Sequence, residues 1–247
     1  MKPDVFVIGA TKCATSTLHY QLSQNDFIDV STPKEPRLLE RGLSQKTIES
    51  EYEKVFKGEG VKIDCNPNNM VIGYVPERMK LLNPKAKVIL MVREPVSRFV
   101  SHYNYFRNMR PGREPLSIDE VISAGCDLDK FTNEADYVPY ICEEWGNYKH
   151  MYLESGCYNH YLNKYKDLFD IMIIPFEHYI KDEQAYMDKI CDWICAPKFK
   201  LRDKRIRNAD KGGVDLTDEQ RDFLVNFYKP HNKALFDSVG EIEEWTY

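Results

Sequence analysis

Five consecutive apolar residues, Val88-Ile89-Leu90-Met91-Val92, constrain the fold of this chain more than any other feature. The run lacks the polar–apolar alternation of a half-exposed strand, and it is far too short to cross a bilayer. A strand apolar on both faces belongs inside a parallel sheet covered by helices. The reading is therefore a strand over Lys87–Val92, then a helix from Pro95 to about Asn108. The same order opens the chain: a strand over Asp4–Ile8, a loop over Gly9–Ser16 and a helix over Thr17–Gln24. Further strands are predicted over Phe27–Val30, Gly60–Cys65 and Ile171–Ile174. Helices are predicted over Val75–Leu82, Leu116–Ala124, Asn159–Leu168, Glu183–Ile194 and Thr217–Tyr228. The last starts on Thr217 with Gln220 three residues on, a capping-box pattern. Strands alternating with helices predict a single α/β domain over residues 1–247, with a central, mostly parallel, doubly wound sheet. Residues 107–155 are the expected source of substrate loops.

Charge narrows the partners. The chain has 247 residues and a net charge of −5, where a general nucleic-acid or anionic-membrane binder is usually basic. No nucleic-acid or membrane partner is expected. Lys2-Pro3-Asp4 leads straight into the first strand, without the pattern of a signal peptide. The expectation is a cytoplasmic protein or a soluble domain of a longer one. The seven cysteines have no paired motif spacing. Cys191 and Cys195 stand four apart with no histidine pair nearby, so reduced thiols are expected rather than a metal site or disulfides.

The loop Gly9-Ala10-Thr11-Lys12-Cys13-Ala14-Thr15-Ser16 follows a strand and opens a helix. Thr15, Ser16 and Thr17 place hydroxyls where the helix dipole favours an anion, and Lys12 adds a full charge. This is phosphate-cradle chemistry, although an ordinary strand–helix turn with a solvated lysine meets the same pattern. It is not a Walker A loop, because no Gly-Lys-Ser/Thr is present. A second anion site follows the central strand. Arg93 stands at the strand's C-terminal end, where open α/β sheets bind ligands, and Ser101 lies on the next helix. A guanidinium fork plus a hydroxyl suits a phosphate monoester. A nucleotide with phosphates at both ends of its ribose would bridge the two sites.

In combination, Val7 through Leu18 resembles the 5′-phosphosulfate loop of sulfotransferases that use 3′-phosphoadenosine-5′-phosphosulfate (PAPS), and Arg93 through Ser101 resembles their 3′-phosphate motif. Thr32-Pro33-Lys34-Glu35-Pro36 is similar to a segment of the heparan sulfate sulfotransferase-like branch and its bacterial relatives, with Leu38-Leu39 where paired phenylalanines often follow. Tyr158–Leu162, Pro175-Phe176-Glu177, Phe227-Tyr228 and His231-Asn232 resemble later landmarks. The resemblance implies the P-loop-like sulfotransferase fold and in-line transfer of a sulfuryl group from PAPS to a hydroxyl or amine, leaving 3′,5′-adenosine bisphosphate (PAP). It implies Glu35 as general base and Lys12 as the charge facing the leaving phosphate oxygen, with Lys34 assisting. It places Thr11, Lys12, Cys13, Ala14, Thr15 and Ser16 on the 5′-phosphate and Arg93 and Ser101 on the 3′-phosphate, with no metal. Lys211 and Gly212 would close over the nucleotide at the end of a basic run. The family loop usually carries glycine at Ala14, so tolerance of alanine there is tied to a negative φ. His19 and His102 are rival bases, because a histidine base occurs in the small-molecule branch. A small-molecule kinase and an inactive nucleotide-binding scaffold are the competing functions.

The acceptor is read from the 107–155 region. Tyr137, Tyr140, Trp145, Tyr148 and Tyr152 either line a cleft or pack. Asp119, Glu120, Asp127, Asp129, Glu134, Asp136, Glu143 and Glu144 stand there against Lys130 alone between Ser117 and Glu144. That balance points to a neutral or cationic acceptor, a small molecule or a glycan, rather than a polyanion. An ordinary acidic surface gives the same balance.

Overall fold

The computed structural model describes residues 1–109, 114–133, 151–204 and 213–245. Its core is a five-stranded sheet in the order β2-β3-β1-β4-β5, built from β1 Val5–Gly9, β2 Ile28–Val30, β3 Val61–Cys65, β4 Lys87–Val92 and β5 Asp170–Pro175. Every pairing is parallel. All five residues of β1 are buried, as are Val88–Val92 of β4, which explains why both read as unbroken apolar runs. The chain leaves β1, lays down β2 and β3 on one side, then crosses to β4 on the other. The connection direction thus reverses between β1 and β4, and the crevice outside their C-terminal ends is where such sheets take ligands.

Among the described residues the α-helices are α1 Thr15–Leu22, α2 Gln45–Val55, α3 Val75–Leu82, α4 Pro95–Met109, α5 Ile118–Ser123, α6 Tyr158–Tyr165, α7 Phe176–Lys181, α8 Glu183–Trp193 and α9 Asp218–Val239. Among the described residues, none is long and apolar enough to cross a membrane. The strands and α3 fall where the sequence places them, to within a residue. α1 starts two residues early. Neither α2 nor α7 was anticipated: α2 buries only Ile48, Tyr52 and Val55 along its length, and Ser44 caps it through the N–H of Thr47 at 3.2 Å. α9 has the expected capping box, with Gln220 N–H donating to Thr217 Oγ1 at 3.2 Å and Thr217 N–H to Gln220 Oε1 at 3.1 Å. It runs on through Pro230, because Leu224, Tyr228, Asn232 and Leu235 form one buried stripe. A second apolar cluster, including Phe99, Tyr103, Tyr152, Leu224 and Tyr228, locks α4 to α9 beside the sheet.

Candidate active site

β1 ends on Gly9, where a Cβ would stand 2.9 Å from the Cβ of Met70, so the turn admits no side chain. Ala10 N–H donates to the Met91 carbonyl at 2.7 Å, tying the loop to β4. Lys12 and Ala14 then take left-handed backbone, with φ of 69° and 64°. The tolerance of Ala14 does not come from a negative φ, as the sequence reading required. The alanine carries the left-handed geometry itself, at a cost of roughly 1–2 kcal/mol. Cys13 turns inward: its thiol lies 3.8 Å from the Tyr158 hydroxyl, its N–H donates to the Ala10 carbonyl at 3.2 Å, and burial pushes its pKa up to about 11. Cys13 shapes the turn, and neither its thiol nor its N–H faces outward. Ala14 gives α1 no side-chain cap, and no acidic residue stands in its first turn. The amides and hydroxyls at that end sit in the positive part of the helix dipole. The Lys12 ammonium lies 4.2 Å from the centre of the Tyr105 ring.

Arg93 follows β4 and is held on several sides. The Tyr158 hydroxyl accepts its N–H at 3.2 Å and donates to its carbonyl at 2.7 Å. Its guanidinium lies 4.7 Å over the Phe176 ring and donates through Nη1 to the Lys12 carbonyl at 3.3 Å. The two expected anion sites are therefore in direct contact. Glu94 closes the start of α4, accepting the N–H groups of Val96 at 2.8 Å and Ser97 at 2.7 Å. Ser101 lies on the same helix, 3% exposed. Arg98, fully buried, bonds His102 Nδ1 at 3.1 Å and the Tyr152 carbonyl, so it braces the second core.

Glu35 reaches the same edge from the β2 side. Its N–H donates to the Cys65 carbonyl at the end of β3, at 3.2 Å, and its φ is 60°. Its side chain is 36% exposed and contacts the Lys34 ammonium. Burial works against the Lys34 charge, yet Cys65, Glu35 and Asp64 around it leave its pKa raised. Behind this pair, the fully buried Glu40 takes Arg37 Nε at 3.0 Å and Asn66 Nδ2 at 2.6 Å. Asp64 takes the Tyr52 hydroxyl at 2.6 Å, and burial raises its pKa to about 7. The rival histidines are committed elsewhere. His19 Nε2 bonds the Ser31 carbonyl at 2.9 Å, and burial lowers its pKa. His102 is 2% exposed beside Arg98, and burial holds its pKa well below the usual histidine range.

Of the expected site residues, Arg93 reaches the Lys12 carbonyl, and Glu35, paired with Lys34, is tied to the end of β3, while Thr11 and Ala14 lie in the loop after β1, Thr15 and Ser16 in the first turn of α1 and Ser101 on α4. Lys211 and Gly212 lie outside the described residues. The chain before them is tied to α1, where the Tyr20 hydroxyl donates to Asp203 at 2.7 Å. The chain after them is tied to α4, where Val214 N–H donates to Asn104 Oδ1 at 3.0 Å. Tyr137, Tyr140, Trp145 and Tyr148 are also outside the described residues, as are Glu134, Asp136, Glu143 and Glu144. Tyr152 packs: it is buried against Phe99, His102 and Tyr103 and donates to Glu114 at 2.6 Å. Of the remaining acids, Glu120 caps α5, Asp119 takes Gln220 at 2.7 Å and Asp129 pairs Lys164 at 3.2 Å. The clasp of Tyr158 on Arg93, the Phe176 platform and the Tyr105–Lys12 contact were not anticipated. Tyr158 and Phe176 carried a family likeness in the sequence but no sign of their partner.

The sulfotransferase domain family matches residues 2–208, and the chain belongs to that family. It is a sulfuryl-transferring enzyme, which sets aside the kinase. A sulfotransferase from Alicyclobacillus acidocaldarius aligns over 99% of both chains with 22% identity and a TM-score of 0.77. The sulfotransferase domain from the curacin biosynthetic pathway is 16% identical, with a TM-score of 0.50 over 87% of this chain and 81% of its own. A sulfotransferase from Mycobacterium avium is 13% identical, with a TM-score of 0.50 over 98% of this chain and 73% of its own. These likenesses establish the shared fold.

Proposed function

We propose that this sulfotransferase uses PAPS as its donor and that Glu35 deprotonates the acceptor. The observation that carries the reading is the contact between the two anion sites. The Arg93 guanidinium after β4 donates through Nη1 to the carbonyl of Lys12, in the loop that leads from β1 into α1, at 3.3 Å. Residues of two kinds fit a nucleotide with two phosphate groups. Backbone amides with Lys12, Thr15 and Ser16 suit the 5′ end, and Arg93 with Ser101 suits the 3′ end. When bound, PAPS supplies the electrophilic sulfuryl group and a phosphate leaving group. Lys12 places positive charge beside the leaving oxygen, and Lys34 orients the Glu35 carboxylate toward the acceptor proton. On the family resemblance alone, Lys211 and Gly212 join the proposed nucleotide site.

The acceptor in this reading is a neutral or cationic small molecule or glycan with a free hydroxyl or amine. Placement beside the heparan sulfate branch rests on Thr32-Pro33-Lys34-Glu35-Pro36 alone. The free thiols, Cys13, Cys65 and Cys157 among them, suit a reducing compartment such as the cytoplasm. Calorimetry with PAP and with Mg-ATP tests the donor: PAP binds and ATP does not. ATP binding without PAP binding overturns the reading. In Glu35→Gln, turnover falls by roughly 100-fold or more while PAP affinity holds. Unchanged turnover removes Glu35 as the base.

A further inference from the structure

The segment after α9 lies beyond the family match, yet it reaches the 3′-phosphate site. Trp245 is 3% exposed. Its Nε1–H donates to Glu177 Oε2 at 3.0 Å, and Glu177 Oε1 accepts the backbone N–H of Glu94 at 2.8 Å. One carboxylate therefore joins the indole to the peptide group that leaves Arg93. On the other face, the indole lies 5.9 Å from the ring of Tyr158, whose hydroxyl holds both the N–H and the carbonyl of Arg93. Phe176, next to Glu177, is the ring beneath the guanidinium. The neighbouring Glu244 fastens this segment to α7 through His178 Nε2 at 2.6 Å and through Lys181.

An arginine fork recognises a phosphate only if its base is held to a fraction of an ångström, and such precision comes from the residues behind it. We infer that Trp245 is a positioning residue for the 3′-phosphate site, setting Arg93 through Glu177 and Tyr158 without touching the nucleotide. The inference rests on the PAPS reading.

Removing the 3′-phosphate from the ligand separates positioning from general stability. PAP and 5′-AMP are titrated against the wild type, Trp245→Phe, Arg93→Ala and the double variant. Trp245→Phe keeps a ring in the core and loses the indole N–H. It is expected to weaken PAP by roughly five- to tenfold and 5′-AMP by less than about twofold. On Arg93→Ala it has no further effect on PAP, because the group it positions is gone. Equal loss for both nucleotides, no loss for either, or full additivity with Arg93→Ala overturns the inference. Should Trp245→Phe not fold, Glu177→Gln interrupts the same contact from the other side and is held to the same outcomes. If the wild type binds no PAP, the nucleotide reading fails first, and the inference falls with it. If PAP binds and the variants lose no selectivity, the inference alone fails.

Discussion

α1 and α4 begin beside each other at the C-terminal edge of the sheet, and their first turns are finished in opposite ways. Every helix start leaves backbone amides without intrahelical partners. α4 satisfies two of them with its own carboxylate, Glu94, at 2.8 and 2.7 Å. α1 begins on an alanine with left-handed backbone, with no side-chain cap and no acid in its first turn. α9 has a complete capping box. The start that lacks an N-cap side chain is the one after β1, in the proposed phosphate loop. In the proposed reading, anion recognition after β1 uses backbone amides, while after β4 it passes to side chains, Arg93 and Ser101. A helix start without an N-cap side chain gives up roughly 1 kcal/mol of stability, and its positive end favours an anion.

The sharpest way to break this contrast is to close α1 as α4 is closed. Ala14→Asp puts a carboxylate at the open start and is expected to weaken PAP by roughly 100-fold, with no loss of melting temperature in the free protein. Undiminished PAP binding would mean that the open start is not the 5′-phosphate site.

Of similar size is a pH effect on the β3 flank of the loop. The folded-state pKa of Asp64, about 7, stands above its ordinary 3.8 because of burial. The proton is favoured in the folded state. The stability Asp64 contributes is therefore complete below about 3.8 and is lost as pH rises through about 7. Asp64→Asn is expected to remove a slope of a few kcal/mol across that window, read from denaturant midpoints at each pH. A slope that survives assigns the effect to other groups.

Smaller still, Glu94→Ala uncaps α4 and is expected to cost about 1 kcal/mol of stability while 5′-AMP affinity stays the same. A fall in 5′-AMP affinity would show that the two helix starts are not independent. The smallest effect is Ala14→Gly, which relieves the left-handed alanine and is expected to raise stability by roughly 0.5–1 kcal/mol. A drop in melting temperature would show that packing of the Ala14 methyl outweighs its backbone strain.

Much of the fold was legible because its signals are local. An unbroken apolar run marks β1 and β4, Pro95 marks the start of α4, and Thr217 with Gln220 marks the start of α9. The loop chemistry was legible for the same reason, since Lys12, Thr15 and Ser16 lie within one turn of each other in sequence. α2 escaped because Ile48, Tyr52 and Val55 are a thin stripe in a charged segment. The length of α9 escaped because Pro230 removes an N–H and usually ends a helix, at about 3 kcal/mol. Burial of Asn232 and Leu235 on the stripe begun by Leu224 carries the helix past it.

The sequence by itself determined the parallel sheet and the residue types at both proposed anion sites. Each depends on neighbours a few positions away. Only the tertiary structure decided that Ala14 is left-handed, that Cys13 faces inward, that His102 is sealed in the core, that Tyr158 holds Arg93 and that Trp245 bonds Glu177. Those outcomes depend on atoms 65 and 68 residues apart meeting across the fold, as in the Tyr158–Arg93 and Trp245–Glu177 bonds. No spacing rule along the chain records such meetings, because the packing of α6, α7 and the segment after α9 against the end of β4 creates them.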